Sequence, residues 1–156
     1  MNVCLMSIKP KWAKELYSGK KTVEFRKNSP PVGSLVFLYE STPVKAVTGC
    51  FIVESIFIGP AYRVWYQCST ATDWKPGSVR NADLVAYAGG KSATCCAILV
   101  MSPWRFSQDD SVLLEKYAVI PPRSWQRLRP NVSTENILAR VLLGTLKSMI
   151  SKEVPK

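Results

Sequence analysis

An α+β domain built on a small barrel or curled sheet is what this sequence predicts, and three observations carry the reading. Short runs rich in β-branched and aromatic residues recur between turn signals. Segments with helical spacing, opened by proline and closed by glycine, interrupt those runs. A long amphipathic stretch ends the chain. At 156 residues it forms one domain, large enough to bury roughly two-thirds of its unfolded surface around a single core.

The elements follow in order. "VCLMSI" (3–8) is a buried strand. In "PKWAKELYSG", Pro10 starts a helix, Trp12, Ala13, Leu16 and Tyr17 repeat at helical spacing, and Gly19 stops it. The strand "KTVEFRK" is broken by "NSPPVG" and followed by the strand "SLVFLYE" (34–40). A Ser41–Pro43 turn leads to a long strand, 44–58, in which Gly49 marks a bulge or bend. Helices are expected over 59–68, after Pro60, and over 78–90, ended by a glycine pair. A buried strand fills 92–101, and 102–130 is proline-punctuated and irregular, with room for one edge strand. From Ser133 a capped helix runs to about Lys152, its stripe made by Ile137, Leu138, Val141, Leu142, Leu146, Met149 and Ile150. The sequence divides into a main domain, 1–130, and a helix, 131–156, packed on or extending it.

Composition excludes several classes. No window approaches the roughly 18 apolar residues that a membrane span needs, and "MNVCLMSIKP" has none of the three regions of a secretion signal. Met1 therefore reads as the start of a cytoplasmic chain. The five cysteines form no CxxC pair and read as reduced, structural residues. With no histidine, a zinc site would need thiolates or carboxylates at a spacing the sequence does not offer, and no cofactor is expected. The formal charge is +10, and residues 1–27 hold seven bases against two acids. Arg123, Arg127 and Arg129 form a second focus. Clustering of this kind points to a polyanionic partner, nucleic acid foremost.

"GKKTVEFR", Gly19 to Arg26, has the form G-x-K-x-x-E-x-R. With "SIKPKWAKELYSG", "YESTPVKAVTGCF" and "PPRSWQRLRP" at the right order and spacing, it resembles the ASCH domain, a branch of the PUA-like superfamily of small β-barrels. The resemblance spans roughly residues 3–130 and implies a PUA-like barrel of ASCH type, a cleft lined by the motif, and RNA as the usual ligand. Some relatives are described as ribonucleases. One branch removes the acetyl group of acetylated cytidine with a threonine nucleophile where this chain has Glu24, which argues against that chemistry here.

Read from the residues themselves, the period of two in "KTVEFRK" turns Val23 and Phe25 to the core and Glu24 and Arg26 to an outer or cleft face. That face is either a binding site or an exposed strand surface laced by a Glu–Arg pair. In the site reading, Lys21 follows Gly19 in a loop and points into the cleft. Lys21 and Arg26 then take phosphate or a ribose oxygen, while Glu24 orients Lys21 or accepts from a base. Trp12, beside Lys9, Lys11 and Lys14, and Trp125, between Arg123 and Arg127, are the stacking candidates, and Lys20 joins the basic residues expected to bind RNA. Without histidine, catalysis would fall to Lys21 or Glu24, with hydroxyls from Tyr39 and, through the family's closing motif, Ser124.

The expectation is thus an ASCH-type protein binding single-stranded RNA or a nucleotide, with no membrane partner. Two alternatives stand: a ribonuclease or a hydrolase of a modified nucleoside, and a protein-interaction module. The helix 134–152 would serve the latter, or a homodimer.

Overall fold

The structure is a computed structural model and describes residues 1–154. Chain order is β1 (Val3–Ile8), α1 (Pro10–Ser18), β2 (Val23–Arg26), β3 (Leu35–Glu40), β4 (Ala46–Pro60), α2 (Ala61–Thr70), α3 (Asn81–Ala88), β5 (Thr94–Arg105), β6 (Trp125–Arg127) and α4 (Ser133–Glu153). The α+β class and the element order follow the sequence reading. All six strands join one curled sheet, a half-barrel in the order β2-β5-β4-β3-β1-β6.

Two features of the sheet give the expected curl its form. β1 and β3 run parallel, Val3 opposite Leu35 through Ile8 opposite Glu40, whereas the other neighbouring strands pair antiparallel. The cause is β2: after α1 it crosses to the far edge and pairs with β5, which leaves the flank of β1 to β3. The curl also stops short of a closed ladder, since β2 and β6 are both edges. The predicted bend at Gly49 is present as a bulge, where Thr48 has no counterpart between Leu38 and Tyr39.

Alternation along the strands sorts the core into an inner layer and two outer ones. The inner layer joins Cys4, Met6, Ile8, Val36, Leu38, Phe51, Val53, Ile98 and Val100 to Ala13 and Leu16 of α1. One outer layer lies under α4, whose Leu138 and Leu142 are fully buried beside Leu5, Phe37 and Phe106. The other lies under α2 and α3, where Ala61, Val64 and Leu84 meet Val23, Phe25, Ala97 and Leu99. Val23 and Phe25 therefore pack outward beneath helices rather than into the barrel interior. Glu24 and Arg26 take the inner face, opposite Ile98 and Cys96.

The expected cap of the last helix is also different. Val132 occupies the N-cap position and offers no side-chain bond. Glu135 works from the first turn instead, accepting the Arg129 backbone N–H at 2.7 Å and its guanidinium at 2.8 Å. No helix among the described residues is long and apolar enough to cross a membrane.

Candidate functional site

The site begins where α1 ends. Gly19 takes the left-handed conformation (φ 78°), which glycine adopts without a Cβ penalty, and its N–H returns to the Leu16 carbonyl. The chain then reverses. Lys20 stays outside, pairing with Glu15 at 3.3 Å, while the Lys21 N–H donates to the Glu15 carbonyl at 3.0 Å. Lys21 makes an isolated bridge to Pro76, and Thr22 exchanges bonds with Asp73 and Lys75. These contacts turn the Lys21 side chain inward just before β2 starts.

Lys21, Glu24 and Arg26 are 2%, 5% and 8% exposed, which removes the exposed-strand reading. The Lys21 amine donates to one oxygen of Glu24. Arg26 holds the other through Nε at 3.1 Å and Nη2 at 2.9 Å. Its Nη2 also donates to the Ser7 carbonyl at 2.7 Å, and Nη1 reaches the Ser124 carbonyl at 3.5 Å. Every guanidinium nitrogen is thus occupied within the protein. The Lys21 amine also stands 5.6 Å from the Trp12 ring and 5.8 Å from the Phe25 ring. Burial alone would raise the Glu24 carboxyl; the Lys21 and Arg26 charges and their hydrogen bonds outweigh it and hold the group below the ordinary carboxylate range. Two cations against one anion leave the buried triad one positive charge in surplus. Burying such a charge is costly unless something anionic or water faces it.

What faces it is a cavity of about 540 Å³ in the gap between β2 and the end of β1. Lys21, Glu24 and Arg26 form its floor, Trp12 and Lys9 one side, Arg123 another, and Val79, Asp83, Leu84 and Tyr87 the wall built by α3. The Tyr87 hydroxyl is pushed up by burial, against a partly compensating Arg26 charge. Asp83 is already committed, bonded to Arg80 at 3.0 and 3.1 Å.

The structure therefore gathers Lys9, Trp12, Lys21, Glu24, Arg26 and Arg123 onto one cavity. Lys11 covers the Trp12 ring at 4.5 Å. Lys20 points away, and Trp125 donates its indole N–H to Asn28 at 2.8 Å. Arg127 lies at a separate depression of about 220 Å³ beside Leu128 and Arg140. Tyr39 is packed in the layer under α4, and Ser124 brings its carbonyl to the site. Sequence reasoning places a helix over 78–90 but does not assign it to the site, since 60–90 carries no recognisable motif. All five cysteines are free and buried, with burial pushing Cys50 and Cys68 up to about 12, so none is a ready nucleophile. Among the described residues no three His, Cys, Asp or Glu side chains converge as a metal site.

Comparison with known proteins bears on this arrangement. A family model described as the ASCH domain matches residues 6–101. An ASCH domain-containing ribonuclease of Zymomonas mobilis is 38% identical over 63 residues, 39% of this chain and 43% of the relative. The match thus spans less than half the length of that protein. The crystal structure of ASCH from Zymomonas mobilis superposes with a TM-score of 0.70 at 24% identity, over 87% of this chain and 94% of that one. A tyrosine-to-phenylalanine variant of the Zymomonas protein superposes at 0.68 with 26% identity, over 91% and 99% of the two chains.

Proposed function

This chain belongs to the ASCH domain family, and we propose that it binds single-stranded RNA or a nucleotide in the cavity above Lys21, Glu24 and Arg26. The observation that carries the proposal is the buried triad with its surplus positive charge, opening onto a cavity flanked by Trp12. A phosphate or a ribose oxygen answers the charge, and an unstacked base suits the tryptophan. The hydrogen bonds of Arg26 support one division of labour among the bases. Arg26 is spent on Glu24, Ser7 and Ser124, so the ligand contacts fall to Lys21 on the floor and to Lys9 and Arg123 at the rim. Binding of a labelled single-stranded RNA, titrated at rising salt, tests this. Affinity should fall steeply as salt rises, and salt-independent binding or none at low salt would overturn the reading.

A second reading, ribonuclease activity, is favoured by the Zymomonas relative that bears that name. In this chain it would rest on Lys21 and Glu24, because neither Tyr39 nor Ser124 lines the cavity. Tyr87 is the tyrosine hydroxyl on the cavity wall. Incubation of end-labelled RNA with the wild type and with Lys21→Ala decides it, since cleavage that survives the substitution clears Lys21 of a catalytic role.

A further inference from the structure

We propose that Glu15 is a positioning residue for the ligand-facing wall of the cavity, an inference that rests on the RNA-binding reading above. Glu15 lies one turn beyond Trp12 on α1, is 7% exposed, and does not itself line the cavity. Its carboxylate accepts the Ser78 N–H at 3.2 Å, the Ser78 hydroxyl, and the Lys20 amine at 3.3 Å. Its main-chain carbonyl accepts the Lys21 N–H at 3.0 Å. One residue therefore holds both the floor lysine and the loop that leads into α3.

The fit of that loop is tight. Gly77 has φ +63°, and a Cβ there would lie 2.6 Å from a Glu15 carboxylate oxygen and 2.9 Å from the Lys21 side chain. A second stitch runs beside it, with the Thr22 N–H on the Lys75 carbonyl at 2.9 Å and the Lys75 N–H on the Thr22 hydroxyl at 2.8 Å. Three residues after Ser78 the chain enters α3, which presents Leu84 and Tyr87 to the cavity. The wall is thereby fixed to the floor through polar bonds whose centre is Glu15. Charge-assisted hydrogen bonds of this kind impose direction, which apolar packing of α3 alone does not.

The test uses the full chain and a fluorescein-labelled single-stranded RNA oligonucleotide. The variants are Glu15→Gln, Glu15→Ala, Ser78→Ala and the double alanine variant, each also followed by hydrogen exchange. Glu15→Ala should weaken binding about tenfold and Ser78→Ala, which keeps the main-chain N–H on Glu15, by less; the double variant should bind no more weakly than Glu15→Ala, because the Ser78 hydroxyl acts through Glu15. Glu15→Gln, which keeps an acceptor, should recover most of the affinity. Exchange should quicken in 73–88 and stay unchanged in β3 and β4. Wild-type affinity in Glu15→Ala despite a loosened 73–88 overturns the proposal. So does a uniform rise in exchange with glutamine no better than alanine, which marks a merely structural role. A wild type that binds no RNA sinks the functional reading instead. Exchange then decides the positioning claim alone, and unaltered 73–88 in both single alanine variants ends it.

Discussion

Arg26 on β2 donates to the main-chain carbonyl of Ser7 on β1 at 2.7 Å, joining two strands that share no backbone ladder. The same guanidinium holds Glu24, so the residue that braces the floor of the cavity also spans the opening in the sheet.

Replacing Arg26 should therefore act on stability first. Arg26→Ala strands the Glu24 carboxylate beside a single amine and should cost about 3–5 kcal/mol, the range for breaking a buried ion pair. Arg26→Lys should recover little of it, because one ammonium does not reach acceptors on three sides. Urea denaturation measures both; a loss under about 1 kcal/mol, typical of an exposed pair, would contradict the brace.

Lys21→Ala should act on binding. RNA affinity should fall about tenfold, and the slope of log affinity against log salt should shrink by about one, the mark of one lost phosphate contact. An unchanged slope with weakened binding would place the phosphate elsewhere on the rim.

Trp12 tests the stacking component. Trp12→Ala should remove about 1–3 kcal/mol of RNA binding, whereas Trp12→Phe, which keeps a π-face, should lose much less. Equal losses in the two variants would assign Trp12 to packing around α1 rather than to the ligand.

Acid should loosen the fold at the triad. Glu24 titrates below its ordinary value in the folded chain, despite the opposing pull of burial. Its ionised form thus favours folding throughout the range above the ordinary carboxylate pKa, and that contribution is lost as pH falls through the lowered value. Glu15, where the Ser78 and Lys20 bonds outweigh desolvation, and Glu135, held down by Arg129, act with the same sign. Stability measured by urea from neutral to acid pH should decline. Glu24→Gln should be less stable at neutral pH and show a flatter acid limb; parallel curves would contradict the assignment.

Leu142→Ala probes the last helix. Leu138 and Leu142 are fully buried in the layer that Phe37 and Phe106 share, and truncating either should cost about 2–5 kcal/mol. A loss of that size in a single cooperative transition would put α4 in one folding unit with the sheet.

Much of this was legible in the sequence, for identifiable reasons. Pro10 and Gly19 bracket α1 because each terminus has a residue type suited to it. The long strand β4 announces itself by its β-branched and aromatic residues. Alternation along β2 separated Val23 and Phe25 from Glu24 and Arg26, but all four residues are buried. Alternation distinguishes the two faces of a strand, but it does not say which one meets α1 and which meets α2 and α3. The role of Arg26 was hidden for another reason: two of its partners are the carbonyls of Ser7 and Ser124, and any residue supplies a carbonyl. The α3 wall left no trace, since Leu84 and Tyr87 look like ordinary helix residues until Glu15 and Thr22 fix the loop before them.

Placing the cavity at the missing rung of the sheet constrains how its ligand preference can change. Glu24 and Arg26 cannot be exchanged for new recognition groups without reopening the gap they span, and Lys21 shares their carboxylate. If the cavity binds a nucleotide as proposed, adaptation to a different base or sugar falls to the periphery, at Lys9, Tyr87 and Arg123. On the proposed reading, the floor supplies an attraction for anions that stays the same whatever the rim is tuned to choose.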